Sequence, residues 1–340
     1  MKRKYEISYM NILLCMAVIM IHVISGAVVV LPRDSVTYYA FFIFWRLLLC
    51  AVPGFIFLSG LKLSLRPVTD WKRFYTRRFT SVIIPYLIWM PIYYLASWRM
   101  HFYNIGLKDF ITKLFDGTGT AHFYFIIVIA QFYLLMPLWQ LLTRKVHPLI
   151  LLAAAAWITC WSQAWLPVLV EDHGLVLPLT NDRLFINYLL PWVAGCICGA
   201  NYDKISRRVY RLRYLLYIIA AALAAWTILF ADYVNRTGLI YLQLHYVNLA
   251  YCMAAILALW GLFLSVSKKH EPSSFLKLLD KSSYYIYLTH LLVLMTVRYF
   301  IETHFPSMGI LHQTAIYLPL TYIIPIAACM AYTAWKQKRQ

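Results

Sequence analysis

The chain has 340 residues, 62% of them hydrophobic and 13% charged, with a formal net charge of +18. A soluble domain is only about half apolar, so an ordinary globular enzyme is excluded. A balance this basic would point to nucleic acid in a soluble protein. Here no basic stretch lies in a soluble segment, so nucleic acid is excluded as a partner, and the charge reads as an orientation signal that also attracts anionic lipid headgroups.

Ten apolar stretches lie near 9–31, 38–61, 81–98, 121–142, 149–169, 184–200, 212–231, 243–266, 284–302 and 314–334. Each approaches the roughly 20 helical residues that a bilayer core requires. The predicted fold is therefore an all-α polytopic membrane protein of about ten transmembrane helices. Of the 31 Lys and Arg residues, 23 fall at the two termini and in the gaps after spans 2, 4, 6 and 8. Six fall in the alternate gaps, Arg46 and Arg298 lie inside spans, and Arg213, at the edge of span 7, is counted with the gap before it. The positive-inside rule then places both termini in the cytoplasm. No gap could hold a soluble domain, so residues 1–340 are expected to form one integral-membrane domain. Lys2, Arg3 and Lys4 precede an apolar run too long for a signal-peptide core, so span 1 is expected to stay attached. All seven cysteines fall within predicted spans, without metal-ligand spacing, which predicts neither a disulfide framework nor a metal site.

Span 1 carries Ser8, Asn11, Cys15, His22 and Ser25. At 100° per residue, Asn11 and His22 share one helix face, and the other three join the stripe. A polar stripe on a membrane helix points into the bundle. His22 reads either as a general base that activates a hydroxyl or as a histidine hydrogen-bonded between helices. Arg46 in span 2 is expected at a depth similar to that of His22. It would stabilise an oxyanion or bind an anionic group there, or else snorkel to the outer interface. Pro53, Gly54, Ser59 and Gly60 loosen span 2, as occurs where backbone lines a cavity or where helices pack closely.

The gap 62–80 interleaves Lys62, Arg66, Lys72, Arg73, Arg77 and Arg78 with Trp71, Phe74 and Tyr75, the composition of a short interfacial helix. The gaps 99–120 and 167–183 read as loops. His122 and His245 sit at outer helix ends, where a solvated role is the simpler reading. In span 9, His290 reads as functional or structural with equal force, and Arg298 and Glu302, four residues apart, are expected to pair. Glu302 is the one acidic residue inside the predicted spans, which disfavours a transporter coupled through an intramembrane carboxylate. No phosphate-binding glycine loop, HExxH pair or GxSxG elbow is present.

Five segments in order resemble the acyltransferase 3 family of bacterial membrane O-acyltransferases. They are Ile7 to Val23 with His22, Val52 to Gly60, Phe74 to Phe79 followed by Ile83-Ile84-Pro85-Tyr86, His122 to Phe125 with Tyr133 to Pro137, and Ser283 to His290. The resemblance implies transfer of an acyl group, usually acetyl from acetyl-CoA, to a hydroxyl of a cell-surface glycan or lipid-linked sugar, at a bacterial inner membrane. It implies His22 as the leading catalytic group and His290 as the second family histidine; Arg46, by its expected depth, is taken as the third catalytic residue. Arg77 and Arg78 would meet the coenzyme A phosphates, if they are not simply topology signal. Asn11, Ser59 and His122 are the expected acceptor contacts. The family commonly carries an arginine eleven residues before the first-helix histidine, where this chain has Asn11, and a tryptophan where it has Tyr124. The alternative is a non-enzymatic exporter or flippase of a polysaccharide or lipid-linked sugar, a role also suggested for some members of the family.

Overall fold

All ten apolar stretches are helical in the computed structural model, which describes residues 4–102, 105–171, 179, 181–238 and 243–339. The helices are α1 (Tyr5–Val30), α2 (Val36–Leu48), α3 (Ala51–Ser64), α4 (Trp71–Arg78), α5 (Ile84–Arg99), α6 (Leu107–Asp116) and α7 (Tyr124–Leu134). They continue as α8 (Met136–Lys145), α9 (Pro148–Glu171), α10 (Leu189–Ala200), α11 (Tyr202–Thr237), α12 (Gln243–Lys269), α13 (Ser274–His304) and α14 (Ile310–Lys338). Among the described residues, eight helices are long and apolar enough to cross a membrane, with α2–α3 and α4–α5 each counted as one; a ninth span is added if α7 and α8 form one bent crossing. The protein is thus an all-α polytopic membrane protein.

The count differs from ten at two places, each with a local cause. The stretch 121–142 breaks by 58° between α7 and α8. Pro137 at the start of α8 supplies no N–H and crowds the preceding turn, and Leu135 leaves helical geometry at φ −85°, ψ 11°. The stretch 184–200 becomes a 3-10 turn (Phe185–Tyr188) followed by α10, whose 12 residues rise only about 18 Å, short of the bilayer core. The interfacial helix expected in 62–80 forms as α4, N-capped by Asp70, which accepts from the Arg73 amide. It runs into α5 through a π-helical turn, Phe79–Ile83, just before Pro85. The gap 99–120 is not simply a loop, because α6 forms in it. Leu107, Ile111 and Phe115 recur every four residues on α6 and are exposed, an apolar stripe suited to a membrane surface.

The chain divides into two compact units. One comprises residues 1–55, 206–239 and 247–340, the other 56–205 and 240–246. Within the first, α1 packs on α2, α13 and α14, and α13 lies along α14. Lipid tails are as apolar as the side chains facing them, so membrane helices are held by close packing and polar contacts more than by hydrophobic burial. The second unit shows the packing device plainly. A Cβ added at Gly195 would lie 2.2 Å from the Phe57 carbonyl oxygen, and one at Gly199 2.3 Å from that of Leu61. From the facing side, a Cβ at Gly60 would lie 2.6 Å from the Trp192 carbonyl oxygen. The backbones of α3 and α10 therefore touch, which only glycine permits. The glycine of span 2 at position 60 serves packing.

Candidate functional site

In the first unit, the polar stripe of α1 meets a matching stripe on α13. Asp280, Ser283, Tyr287 and His290 recur at three- and four-residue spacing, so they share one face. Ser8 donates to Asp280 Oδ2 at 2.7 Å. Asn11 Nδ2 donates to Asp280 Oδ1 at 2.8 Å and to Ser283 Oγ at 2.7 Å. The Cys15 thiol donates to the Ser283 carbonyl at 3.5 Å. Three turns further along, the His22 and His290 rings lie 5.4 Å apart, centroid to centroid. The two helices therefore run in the same direction in register. Ser25 donates back to the His22 carbonyl at 3.0 Å.

The two histidines are held differently. His290 is fully buried. Its Nδ1 lies 2.7 Å from the Tyr287 carbonyl oxygen, which can only accept, so the proton sits on Nδ1 and Nε2 is the acceptor. His22 is half-buried, and its ring nitrogens have no protein hydrogen-bond partner among the described residues. A charge stands beside it. Arg298 is close enough to act on His22 electrostatically, and its Nη2 would lie 3.2 Å from a Cβ at Gly26, one turn above His22. The Arg298 guanidinium also sits 5.7 Å from the Tyr317 ring centre.

Several expectations change here. Arg298 faces α1 and Tyr317, and no ion pair joins it to Glu302 among the described residues; the four-residue spacing permits that pair, but Glu302 is exposed. The helix bearing His290 starts at Ser274 rather than at 284, so it includes Asp280, and α1 includes buried Glu6. Glu302 is therefore not the one acidic residue on the membrane helices, and carboxylates on α1 and α13 are present where a coupled transporter would need them. Arg46 does not snorkel: it is 8% exposed, and its Nη2 donates to Thr227 of α11 at 2.9 Å, next to Tyr251 and Cys252 of α12. The positive group that the structure brings to His22 is Arg298, while Arg46 is engaged with Thr227.

In the second unit, Arg77 and Arg78 part company. Arg77 is exposed, whereas Arg78 is half-buried, with its guanidinium 5.6 Å from the ring centres of both Phe74 and Tyr133. Arg78 and Ser59 both interact with the Tyr133 hydroxyl, so two of the predicted binding residues converge on a tyrosine that carried no role in the sequence reading. His122 is 2% exposed rather than solvated, with Nδ1 2.7 Å from Thr120 Oγ1 and its ring against Tyr93 and Phe123. His245 is exposed, as expected of a helix end. Tyr124 pairs with Tyr188, ring centres 6.5 Å apart. Asp280 was missed, although the periodicity of α13 would have placed it on the His290 face, and Arg298 was noticed but assigned to Glu302.

A bundle of long apolar helices that turns a histidine pair and a carboxylate network inward is the architecture of an integral-membrane protein with an internal polar site. Residues 4–333 match the family described as Acyltransferase domain, and the chain belongs to this acyltransferase 3 family. The chain is similar to a Bacillus subtilis (strain 168) protein, YfiQ, provisionally named a membrane-bound acyltransferase. The two are 24% identical over 97% of this chain and 92% of that protein. It is also similar to Staphylococcus aureus (strain MSSA476) and Staphylococcus epidermidis proteins provisionally named poly-beta-1,6-N-acetyl-D-glucosamine export proteins. Those are 24% and 22% identical, each over 86% of this chain and over 83% and 82% of the respective relative. No solved structure matches.

Proposed function

We propose that the protein is an O-acyltransferase, acting as one membrane domain, that moves an acetyl group from acetyl-CoA to a hydroxyl of a surface glycan or lipid-linked sugar. The observation that supports this reading best is the unpartnered His22 imidazole, set against His290 and Arg298 inside a helix bundle. His22 takes the proton of the acceptor hydroxyl as the oxygen attacks the thioester carbonyl, and the proton leaves with the coenzyme A thiol. Arg298 stabilises the negative charge that develops on the carbonyl oxygen. His290, with its proton held on Nδ1 by the Tyr287 carbonyl, offers Nε2 toward this chemistry. Arg77 and Arg78 receive the donor phosphates from the cytosol, and Asn11, Ser59 and His122 contribute to acceptor handling. Arg46 adds positive potential.

A second reading, export of a polysaccharide or lipid-linked sugar without chemistry, is favoured by the names of the staphylococcal relatives. The two separate in cells carrying His22→Ala. With acyl transfer, acetyl per sugar in the surface glycan falls while total surface glycan stays constant. With export, surface glycan falls while acetyl per sugar stays constant. Mass spectrometry of the surface polymer reads both quantities.

A further inference from the structure

The first unit holds a pocket that the histidine site does not use. It opens where the turn after α1 and the start of α2 meet the end of α11, with a volume of about 340 Å³. Small-ligand pockets span about 300–1,000 Å³, so this one suits a ligand of one or two rings. The basic-residue distribution puts this end of the helices outside the cytoplasm.

The lining combines Tyr38 and Tyr39 with two arginines and two aspartates. Arg236 Nε donates to Asp232 Oδ2 at 2.8 Å, and its Nη2 donates to the Tyr39 hydroxyl, which in turn donates to Asp232 Oδ1 at 3.2 Å. Arg33 reaches the backbone carbonyl of Asn235 at 3.1 Å. The Asp34 carboxylate is exposed and has no protein hydrogen-bond partner among the described residues. Tyr38 is rigidly backed, stacked on Phe42 at 5.5 Å and edge-on to Tyr39 at 5.5 Å. Tyr38, Phe42 and Arg46 are the buried residues of α2 and lie on one face, and Arg46 bonds Thr227 of α11. The pocket therefore caps a continuous α2–α11 seam.

This lining chooses among ligand classes. A phosphate would face Asp34 and Asp232, and an ammonium group would face Arg33 and Arg236. A neutral polyhydroxylated ring avoids both penalties, because each hydroxyl donates to a carboxylate and accepts from a guanidinium. We propose that this pocket is a binding subsite for a neutral saccharide. The assignment stands on the pocket's own lining; its link to acyl transfer, as an outer foothold for the acceptor, rests on the reading above.

The test uses the full-length protein in lipid nanodiscs, with chitotetraose, maltotetraose and isomaltotetraose as neutral probes and glycerol phosphate as the anionic one. Binding is measured by saturation-transfer NMR and calorimetry. At least one neutral tetrasaccharide binds, glycerol phosphate does not, and Asp34→Asn weakens the saccharide about tenfold, the loss of one charge-assisted hydrogen bond. Asp34 is exposed and bonds nothing among the described residues, so the variant is expected to fold as the wild type does. Binding of none of the neutral sugars, tighter binding of glycerol phosphate, or saccharide affinity unchanged in both Asp34→Asn and Asp232→Asn would overturn the assignment. The two proposals fail separately. His22→Ala abolishes acetyl transfer with saccharide binding intact if both hold; transfer without saccharide binding removes the subsite alone, and binding without transfer removes the enzyme alone.

Discussion

Asn11 stands where the acyltransferase 3 family commonly carries arginine, and the structure shows what the replacement does locally. The amide bridges Asp280 and Ser283 with two hydrogen bonds. Arginine there would set a charge against Asp280, while asparagine supplies its N–H donors without a charge. Either residue ties α1 to α13 and so sets the register that brings His22 to His290. Asn11→Leu is expected to cost about 1–3 kcal/mol, the range for leaving a hydrogen-bonded partner unsatisfied. Asn11→Arg is expected to retain wild-type stability. Unfolding in mixed micelles reads both, and equal stability of Asn11→Leu and wild type would contradict this role. His22 and the α1 stripe were legible from residue type and helical period alone. Arg298 was not, because a four-residue spacing to Glu302 shows which residues are neighbours on a helix and not which way a long side chain turns. His122 was misplaced for a similar reason. Position at a helix end says little about burial once Tyr93 and Phe123 cover the ring.

At the scale of elements, apolar length revealed the long membrane helices but not α6, which lies in a gap read as a loop, while proline and turn chemistry decided the breaks. Pro137 splits α7 from α8, and a continuous apolar run conceals that. The contact of α3 with α10 was half legible: Gly60 was visible as an interruption, but its complement Gly195 lies on a helix too distant in sequence to pair by period. Gly195→Ala must push the Phe57 carbonyl away and is expected to cost about 1–3 kcal/mol. Gly309→Ala, at the N-cap of α14 where an added Cβ meets nothing nearer than 4.0 Å, costs less, about 0.5–1 kcal/mol for the poorer cap. Thermal unfolding in detergent compares the two, and equal melting would refute the backbone contact.

The helix α6 carries a pH dependence of defined sign. Lys113, one turn on, hydrogen-bonds Asp109, and Tyr94 donates to the same carboxylate at 3.0 Å, so the Asp109 pKa is lowered. A carboxylate whose folded pKa lies below its unfolded value stabilises the fold above the unfolded value, near 4, and loses that contribution as pH falls through the folded one. The protection factor of α6 relative to α14, corrected for the intrinsic pH dependence of amide exchange, should therefore be unchanged from pH 7 to 5 and fall below about pH 4. Protection that weakens on going up in pH would contradict the assignment.

For the whole molecule, class and hydropathic layout followed from composition and from the spacing of apolar runs, because the bilayer imposes one length on every crossing. The division into two units did not, since it depends on which helices pack together. Neither did the pairing of α1 with α13, which joins residues at opposite ends of the chain. That pairing is the structural basis of the proposed chemistry, because it assembles His22, His290 and Arg298. The most direct measurement is transfer of radiolabelled acetyl from acetyl-CoA by the purified protein in proteoliposomes supplied with a glycan acceptor. The account predicts acetylated product from the wild type and a loss of about a hundredfold or more in His22→Ala, the scale of a missing general base, with the variant folded and inserted as before. Turnover by His22→Ala equal to that of the wild type would contradict it.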